Sequence, residues 1–334
     1  MKQLKDAQGV ISHLINNDED YIIFNDGKAI SQNINESIDI DVDEYFNSND
    51  IVDIEKSLLE KEIEENVPFS TSIKIDGDNN LKIIQLSDEQ KYLNYNIIVR
   101  KGQVNISYIN LGIDIDAKAK IELLCSKNTV VNFTSYTNAT KPLTSVVNVY
   151  CLENAIFNIH DLSLNEKIVD NNVNVYLLKN NSESHFNNVI INGSGDKQVF
   201  NYYVYHYGRD TKSTLNNYGI SKNTSQLIIN NNGIVQKGAV NADLDQRSKG
   251  VILDMFSSIS ANPFLLINDN DVMAGHGAAI GALNDEDLFY LMSRGLTENE
   301  ATSLMIRAFI NPFFRDFNDK KVTEYINNTL SKYL

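Results

Sequence analysis

Residues 172–177 read Asn-Val-Asn-Val-Tyr-Leu, and this alternation of polar and apolar residues decides the fold class. Successive side chains of a β-strand point to opposite faces, so Val173, Val175 and Leu177 are expected to share one buried face. Similar short alternating segments recur from about residue 92 to residue 262, with strand centres roughly 11–16 residues apart and no helical stretch between them. This even spacing predicts a stacked repeat.

Two all-β architectures agree with this pattern. The Asn-Gly pairs at residues 192–193 and 232–233 are hairpin signals, as a β-sandwich would require. Most other connections lack such signals and are instead rich in Asn, which tolerates the left-handed backbone of tight corners. We favour a parallel β-helix, in which each coil adds parallel strands to the previous coil, and the sandwich stays open on the pattern alone.

The first ninety residues have a mixed character. Residues 21–30 form two apolar runs around Asp26-Gly27, which predicts a β-hairpin. Residues 52–65 place apolar side chains at helical spacing among charges, which predicts a short amphipathic helix. We therefore divide the chain into an N-terminal α/β region at 1–91, a β-helix core at 92–283 and a helical C-terminal domain at 284–334.

The last fifty residues carry the start and stop signals of helices. Asn284 precedes three acidic residues and is expected to cap a helix that ends at Gly295. Thr297 and Glu300 have the spacing of a capping box, which predicts the start of a second helix. A third helix is expected to begin near Pro312, because proline suits the first turn of a helix.

Composition excludes several classes of function. The chain has 29 Lys and Arg against 44 Asp and Glu, a net charge of −15, which argues against binding to nucleic acid or to an anionic membrane surface. No apolar run is long enough to span a bilayer, and the first residues lack the apolar core of a signal peptide. With only two cysteines, Cys125 and Cys151, we expect buried thiols and a cytoplasmic protein.

Motifs of common enzymes are absent from the sequence. There is no G-x-S-x-G, no phosphate-binding loop with its lysine and no H-E-x-x-H, and neither the five histidines nor the two cysteines fall at metal-ligand spacing. We therefore expect a protein that is not an enzyme. A carbohydrate-active β-helix enzyme and a purely structural β-helix are the rival interpretations.

Three motifs near the C-terminus carry a family resemblance. They read DNDVMAGHGAAIG at residues 269–281, DLFYLMSRG at 287–295 and EATSLMIRAF at 300–309. In this order and spacing they resemble the C-terminal region of the SufB/SufD family, scaffold subunits of the Suf iron–sulfur cluster assembly system. Gly-Ala-Ala follows His276, which is closer to SufD-like chains than to SufB-like ones. The Cys-Ser-His pattern frequent in the family is Ala-Gly-His here, so the neighbouring thiol is missing.

The resemblance implies a fold, partners and a site. The fold is a right-handed parallel β-helix with a helical C-terminal domain. The partners are a SufB-like subunit, or a second copy of this chain in a homodimer, and a SufC-type ABC ATPase that docks on the helical domain. His276, on what we expect to be a loop, would face a transient iron–sulfur cluster or iron at the subunit interface. A single imidazole cannot hold a cluster, so the partner must supply thiolates; whether iron, a cluster or FADH2 is bound there is left open by the residues.

A docking surface for the ATPase has a separate basis in the residues. The C-terminal domain is too small to hide all its aromatic side chains, and exposed aromatic patches mark partner sites. The alternative is that these rings cap the end of the β-helix. The residues assigned to this docking surface are Phe289, Tyr290, Arg294, Gly295, Phe313 and Phe314.

Overall fold

The chain forms a parallel β-helix of two facing sheets, with helices packed along one of them. The computed structural model describes residues 9–16, 18–42, 51, 55–87, 89–113, 116–138, 140–165, 167–193, 195–314 and 320–333. Within these residues the strands from the fourth onward alternate between the two sheets along the chain. The interior between the sheets is called the lumen below.

Sheet A contains every odd-numbered strand except β3, together with β2 at one edge. Its spatial order is β19-β17-β15-β13-β11-β9-β7-β5-β1-β2. Its strands are β1 (Asp20–Asn25), β2 (Lys28–Asn33), β5 (Asn79–Ser87), β7 (Gln103–Ile113), β9 (Val130–Asn138), β11 (Ile156–Ser163), β13 (Glu183–Asn192), β15 (Lys212–Ser221), β17 (Ala242–Ile252) and β19 (Val272–Ala282), with β3 the one odd strand that belongs to the other sheet.

Sheet B contains β3 and the remaining even-numbered strands. Its spatial order is β18-β16-β14-β12-β10-β8-β6-β4-β3. Its strands are β3 (Ile38–Val42), β4 (Thr71–Asp76), β6 (Tyr92–Lys101), β8 (Ala117–Cys125), β10 (Leu143–Cys151), β12 (Val169–Leu177), β14 (Lys197–His206), β16 (Gln226–Val235) and β18 (Ser258–Ile267).

Strand pairing settles the choice between the two all-β architectures. Among the described residues only β1 with β2 and β3 with β4 pair antiparallel, and every later pair is parallel. The hairpin predicted around Asp26-Gly27 is confirmed as the β1–β2 pair. The sandwich is therefore wrong, and the mainly β fold with a parallel β-helix is confirmed. The parallel stack begins before residue 92, because β4 already pairs in parallel with β6. The domain boundaries that we place at 91/92 and 283/284 stay predictions.

The lumen is filled by the apolar side of the alternating segments. Val173, Val175 and Leu177 are all at most 2% exposed, as the alternation predicts. Each lies in register with the equivalent residue of the neighbouring coils, so that side chains form columns along the helix axis. Cys125 and Cys151 are one such pair of buried thiols, and burial raises the pKa of Cys125 well above its usual value.

Asparagines form the corners between sheet B and sheet A. Asn128, Asn154 and Asn181 each have a φ near +60°, which Asn accepts at lower cost than most residues. Their side chains stack: the amide of Asn154 donates to Asn128 over 2.7 Å, and that of Asn181 donates to Asn154 over 3.0 Å. One Asn-Gly pair is not a corner, because Asn232-Gly233 lies inside β16. Its glycine is needed there because a Cβ would come within 2.9 Å of the side chains around it.

Five helices accompany the sheets in the described residues. They are α1 (residues 9–14), α2 (Leu58–Asn66), α3 (Asp285–Ser293), α4 (Glu298–Phe314) and α5 (Lys320–Tyr333). The helix expected at 52–65 begins later, at Leu58, because Ser57 and Glu60 form a capping box there; residues 52–54 lie outside the described part. None of the described helices is long and apolar enough to cross a membrane.

The C-terminal helices pack on the outer face of sheet A. Ile306, Ile310 and Phe313 of α4, with Val322 and Ile326 of α5, join one buried cluster with the outward apolar residues of β5 to β15. The expected third helix does not start near Pro312, because α4 continues through that residue to Phe314. The third helix, α5, begins at Lys320 instead.

The corner after β14 generates a test of the tight stacking. A Cβ on Gly208 would lie 2.3 Å from the backbone carbonyl group of Lys179 in the previous coil. Since backbone cannot rotate away, we expect Gly208→Ala to lower the free energy of unfolding by about 1–3 kcal/mol in chemical denaturation. Gly281→Ala is the control, because nothing lies within 4 Å of its Cβ position. Equal stability of the two variants would contradict the tight corner.

Candidate functional site

The last coil of the β-helix, formed by β18 and β19, is called the open end below. No strand among the described residues pairs with the outer edge of β18 or β19. The residues of β19 that face the lumen have no further coil above them and are exposed, Ile280 to 38%. The first coil differs, since the lumen-facing Ile22 and Ile38 are buried. The open end thus exposes an interior surface and the free backbone groups of two strand edges.

His276 lies in the centre of the open end, on a strand rather than on the expected loop. It is the fifth residue of β19 and pairs in register with Gln246 of β17. The reason is that pairing with β17 outweighs the low strand propensity of the Gly and Ala residues around it. The small side chains keep the edge accessible, and Gly277 has no atom within 4 Å of its Cβ position.

His276 belongs to a column of side chains that face the lumen. The column runs through Phe186, Leu215 and Gln246, one residue from each coil, and ends at His276. The three residues below it are buried, whereas His276 is exposed. Gln246 Nε2 donates to the carbonyl of Phe264 over 3.4 Å, while its buried Oε1 has no partner among the described residues. The imidazole thus sits at the mouth of the lumen, above an amide oxygen with free acceptor capacity.

The described residues contain no cluster of three or more His, Cys, Asp or Glu that could hold a metal ion. Both cysteines face the lumen from β8 and β10 of sheet B, several coils away from β19 of sheet A. His206 is buried as well, and burial lowers its pKa to about 3, so it stays neutral between Thr211 and Ser213. His276 is therefore a single accessible imidazole, and any cluster that it contacts needs ligands from elsewhere.

Apolar side chains surround the open end. Phe264 and Leu266 of β18 are 52% and 45% exposed, and Met273 of β19 is 61% exposed. The turn between β17 and β18 adds Met255 and Phe256, both almost fully exposed. An accessible apolar surface of this kind, next to unpaired strand edges, is typical of a protein–protein interface.

A second exposed apolar area, called the helical patch below, lies on α3 and the facing side of α4. It consists of Phe289, Tyr290, Met292 and Leu304, of which Phe289 is 74% exposed. Helix α3 has no buried residue, although Asn284 caps it by accepting from the amides of Glu286 and Asp287. The patch is thus a helix surface that no described part of this chain covers.

The residues assigned to docking fall into two groups. Phe289 and Tyr290 lie in the helical patch, and Arg294 stacks on the Tyr290 ring at 5.2 Å. Gly295 ends α3 with a φ of +100°, as its position predicts. Phe313 must be removed from the docking surface, because it is fully buried against sheet A. Phe314 is partly buried against the same cluster. These two rings cover a face of the β-helix, not its open end as the alternative supposed.

A large polar groove runs over the outer face of sheet A, and it bears on the carbohydrate-enzyme interpretation. Its volume is about 1040 Å³, and its floor carries a ladder in which Asn158 donates to Asn132 and Asn132 donates to Asn105. The two carboxylates among its described lining residues are both engaged, Glu19 with Lys82 at 3.1 Å and Asp20 with Asn35. The groove therefore offers no pair of free carboxylates for general acid–base chemistry.

Comparison with known proteins supports the family resemblance of the three C-terminal motifs. A family model described as SUF system FeS cluster assembly, SufBD core domain, matches residues 88–309. The iron–sulfur cluster assembly protein SufD of Bacillus subtilis is 30% identical over 145 residues, which cover 43% of this chain and 33% of that protein. SufBD family proteins of Staphylococcus haemolyticus and Mycobacterium leprae are 32% and 27% identical over 130 and 128 residues, each covering 38% of this chain.

These matches are partial in length. The aligned segments cover 28% of the Staphylococcus haemolyticus protein and 15% of the Mycobacterium leprae protein, so the chain spans a third or less of each relative. The family model, in contrast, covers most of the β-helix together with α3 and much of α4. The resemblance inferred from the motifs around His276 is thereby confirmed, and the chain belongs to the SufB/SufD family.

Proposed function

We propose that this protein is a SufD-like scaffold subunit of an iron–sulfur cluster assembly complex, without a catalytic site of its own. The single observation that carries the proposal is the open end, where lumen-facing residues and two strand edges are exposed around one imidazole. Family membership and the similarity to a protein named SufD support the process in which it acts. A soluble, cytoplasmic complex agrees with the acidic composition.

Pairing through the open end is the first part of the proposal. The partner is a SufB-like subunit or, in its absence, a second copy of this chain. Association would bury the apolar side chains of β18 and pair the backbone groups of the strand edges. Burial of apolar surface and strand pairing both favour association. It would also bring the thiolates of the partner close to His276, which supplies one neutral nitrogen ligand.

A charge at the open end tests this pairing. Ala278 is exposed on β19 and faces the lumen, so Ala278→Glu leaves the fold unchanged but buries a carboxylate in the complex. We expect the dissociation constant for the SufB-like subunit, or for self-association, to rise about 100-fold, because an unpaired buried charge costs several kcal/mol. Analytical ultracentrifugation measures it.

Ala29→Glu is the matched control for this experiment. Ala29 is an exposed residue of β2, at the opposite edge of sheet A, and the substitution is chemically identical. It should leave association unchanged. Equal association of wild type and the Ala278 variant would contradict pairing through the open end.

Docking of an ABC-type ATPase on the helical patch is the second part. Only two residues separate the end of β19 at Ala282 from the start of α3 at Asp285. A movement of the docked ATPase would therefore displace α3 and, through this short connection, β19 with His276. This short connection supports a role in which ATP-driven dimerisation of the ATPase moves the scaffold subunits against each other.

Phe289→Ala tests the helical patch. We expect it to weaken ATPase binding about 10- to 100-fold, because large aromatic side chains dominate interface energies, while the unfolding midpoint stays unchanged. Calorimetric titration measures the affinity. Ile168→Ala is the control, since Ile168 is an apolar residue 54% exposed at a distant corner. The same affinity for both variants would place the ATPase elsewhere.

His276→Ala tests the role in cluster assembly. The side chain is exposed in the last coil, so the variant should fold and bind its partners normally. We expect the assembled complex to retain less iron and sulfide after anaerobic reconstitution and to activate an apo iron–sulfur enzyme at a lower rate. His13→Ala, which removes another exposed imidazole, is the control. Full iron and sulfide content in the His276 variant would place the cluster ligands wholly on the partner.

A further inference from the structure

The lumen contains a small cavity, lined by more apolar than polar surface, that the proposed function does not use. It lies where sheet A turns into sheet B, between coils that are well inside the β-helix, and its volume is about 60 Å³. That is enough for a few water-sized occupants. Its polar lining residues are Asn110, Ser135, Thr137, Ser145, Asp161, Ser163, Asn165 and Asn171, and the remainder of the wall is mostly apolar.

Asp161 is a buried carboxylate in the wall of this cavity. It is 7% exposed, and its Oδ1 accepts a hydrogen bond from the hydroxyl of Ser135. Burial raises the pKa of Asp161 to about 6, so most molecules still carry the charge at neutral pH. The described residues of the lining include no Lys, Arg or His. The nearby Tyr108 and Tyr202 have pKa values raised by burial and stay neutral, so they add no second negative charge.

Asn110 provides an independent sign of a missing occupant. It lies on β7, is 4% exposed and lines the same cavity. Its Oδ1 has no hydrogen-bond partner among the described residues. An unpaired buried carbonyl oxygen is unfavourable, and an occupant that binds its lone pair removes this cost. The cavity therefore combines one buried carboxylate with one unpaired amide oxygen.

We propose that this cavity binds one monovalent metal cation, Na⁺ or K⁺, through the carboxylate of Asp161 and the neutral oxygens around it. One carboxylate balances one positive charge, whereas a divalent ion would leave a net charge in the apolar interior. Carboxylate, amide and hydroxyl oxygens are the ligands that hard cations prefer. The bound ion holds neighbouring coils together from inside the lumen.

Cation-specific stabilisation tests the proposal. At about pH 8 the carboxylate is charged. Above the dissociation constant, each tenfold increase in NaCl or KCl should lower the unfolding equilibrium constant about tenfold, because the ion binds the folded chain alone. Choline chloride, whose cation is too large for the cavity, should give only the general salt effect. At about pH 5 a proton neutralises Asp161, and the difference between the salts should largely vanish.

Asp161→Asn should abolish the difference between metal and choline salts, since the neutral amide needs no counter-ion. Asp170→Asn removes a carboxylate from an exposed position and is the matched control, in which the difference should persist. Crystals of the wild-type chain soaked in thallium(I) give a measurement that depends on no variant. An anomalous peak beside Asp161 would support the site. Equal stabilisation by all three salts, or a cavity without thallium, would overturn the proposal and leave a protonated or merely hydrated Asp161.

Discussion

The structure depends on one constraint: every strand of a parallel β-helix must find a neighbour for both of its edges. Within the stack this requirement is met by the next coil, which holds each residue in register with its equivalent. At the first coils, β2 and β3 run antiparallel and the lumen residues beneath them are buried. At β18 and β19 the requirement is not met by any described part of the chain. The proposed pairing with a partner follows from how the described β-helix ends.

The same constraint explains the unusual composition of β19. Large side chains would fill the mouth of the lumen and hold a partner away, while Gly and Ala leave the strand edge flat. His276 is the one large polar side chain in the lumen-facing positions of this strand. Because α3 follows after two residues, the edge strand, the imidazole and the helical patch form one continuous segment. A movement of the helices is thus linked to the open end through two residues of backbone.

Much of this could be predicted from sequence, because strand alternation, asparagine corners and helix caps are local signals. Asn284, Gly295 and the Thr297–Glu300 capping box all have their expected roles. The predictions that were wrong concern residues whose structure is decided by tertiary contacts. Gly and Ala around His276 indicate a loop locally, but pairing with β17 makes them a strand. Helix α4 continues past Pro312 and Phe313 is buried because α4 packs against sheet A. Asp161 faces the lumen because the register of β11 with β9 places it there.

Hydrogen–deuterium exchange of the free chain and of its complex with a SufB-like subunit tests the central claim most directly. In a parallel edge strand alternate amides point away from the neighbour and lack a partner, so those of β18 and β19 should exchange fast in the free chain. We expect these amides to become protected on association, while those of β2 at the opposite edge do not change. A stable complex in which β18 and β19 exchange as fast as before would contradict it.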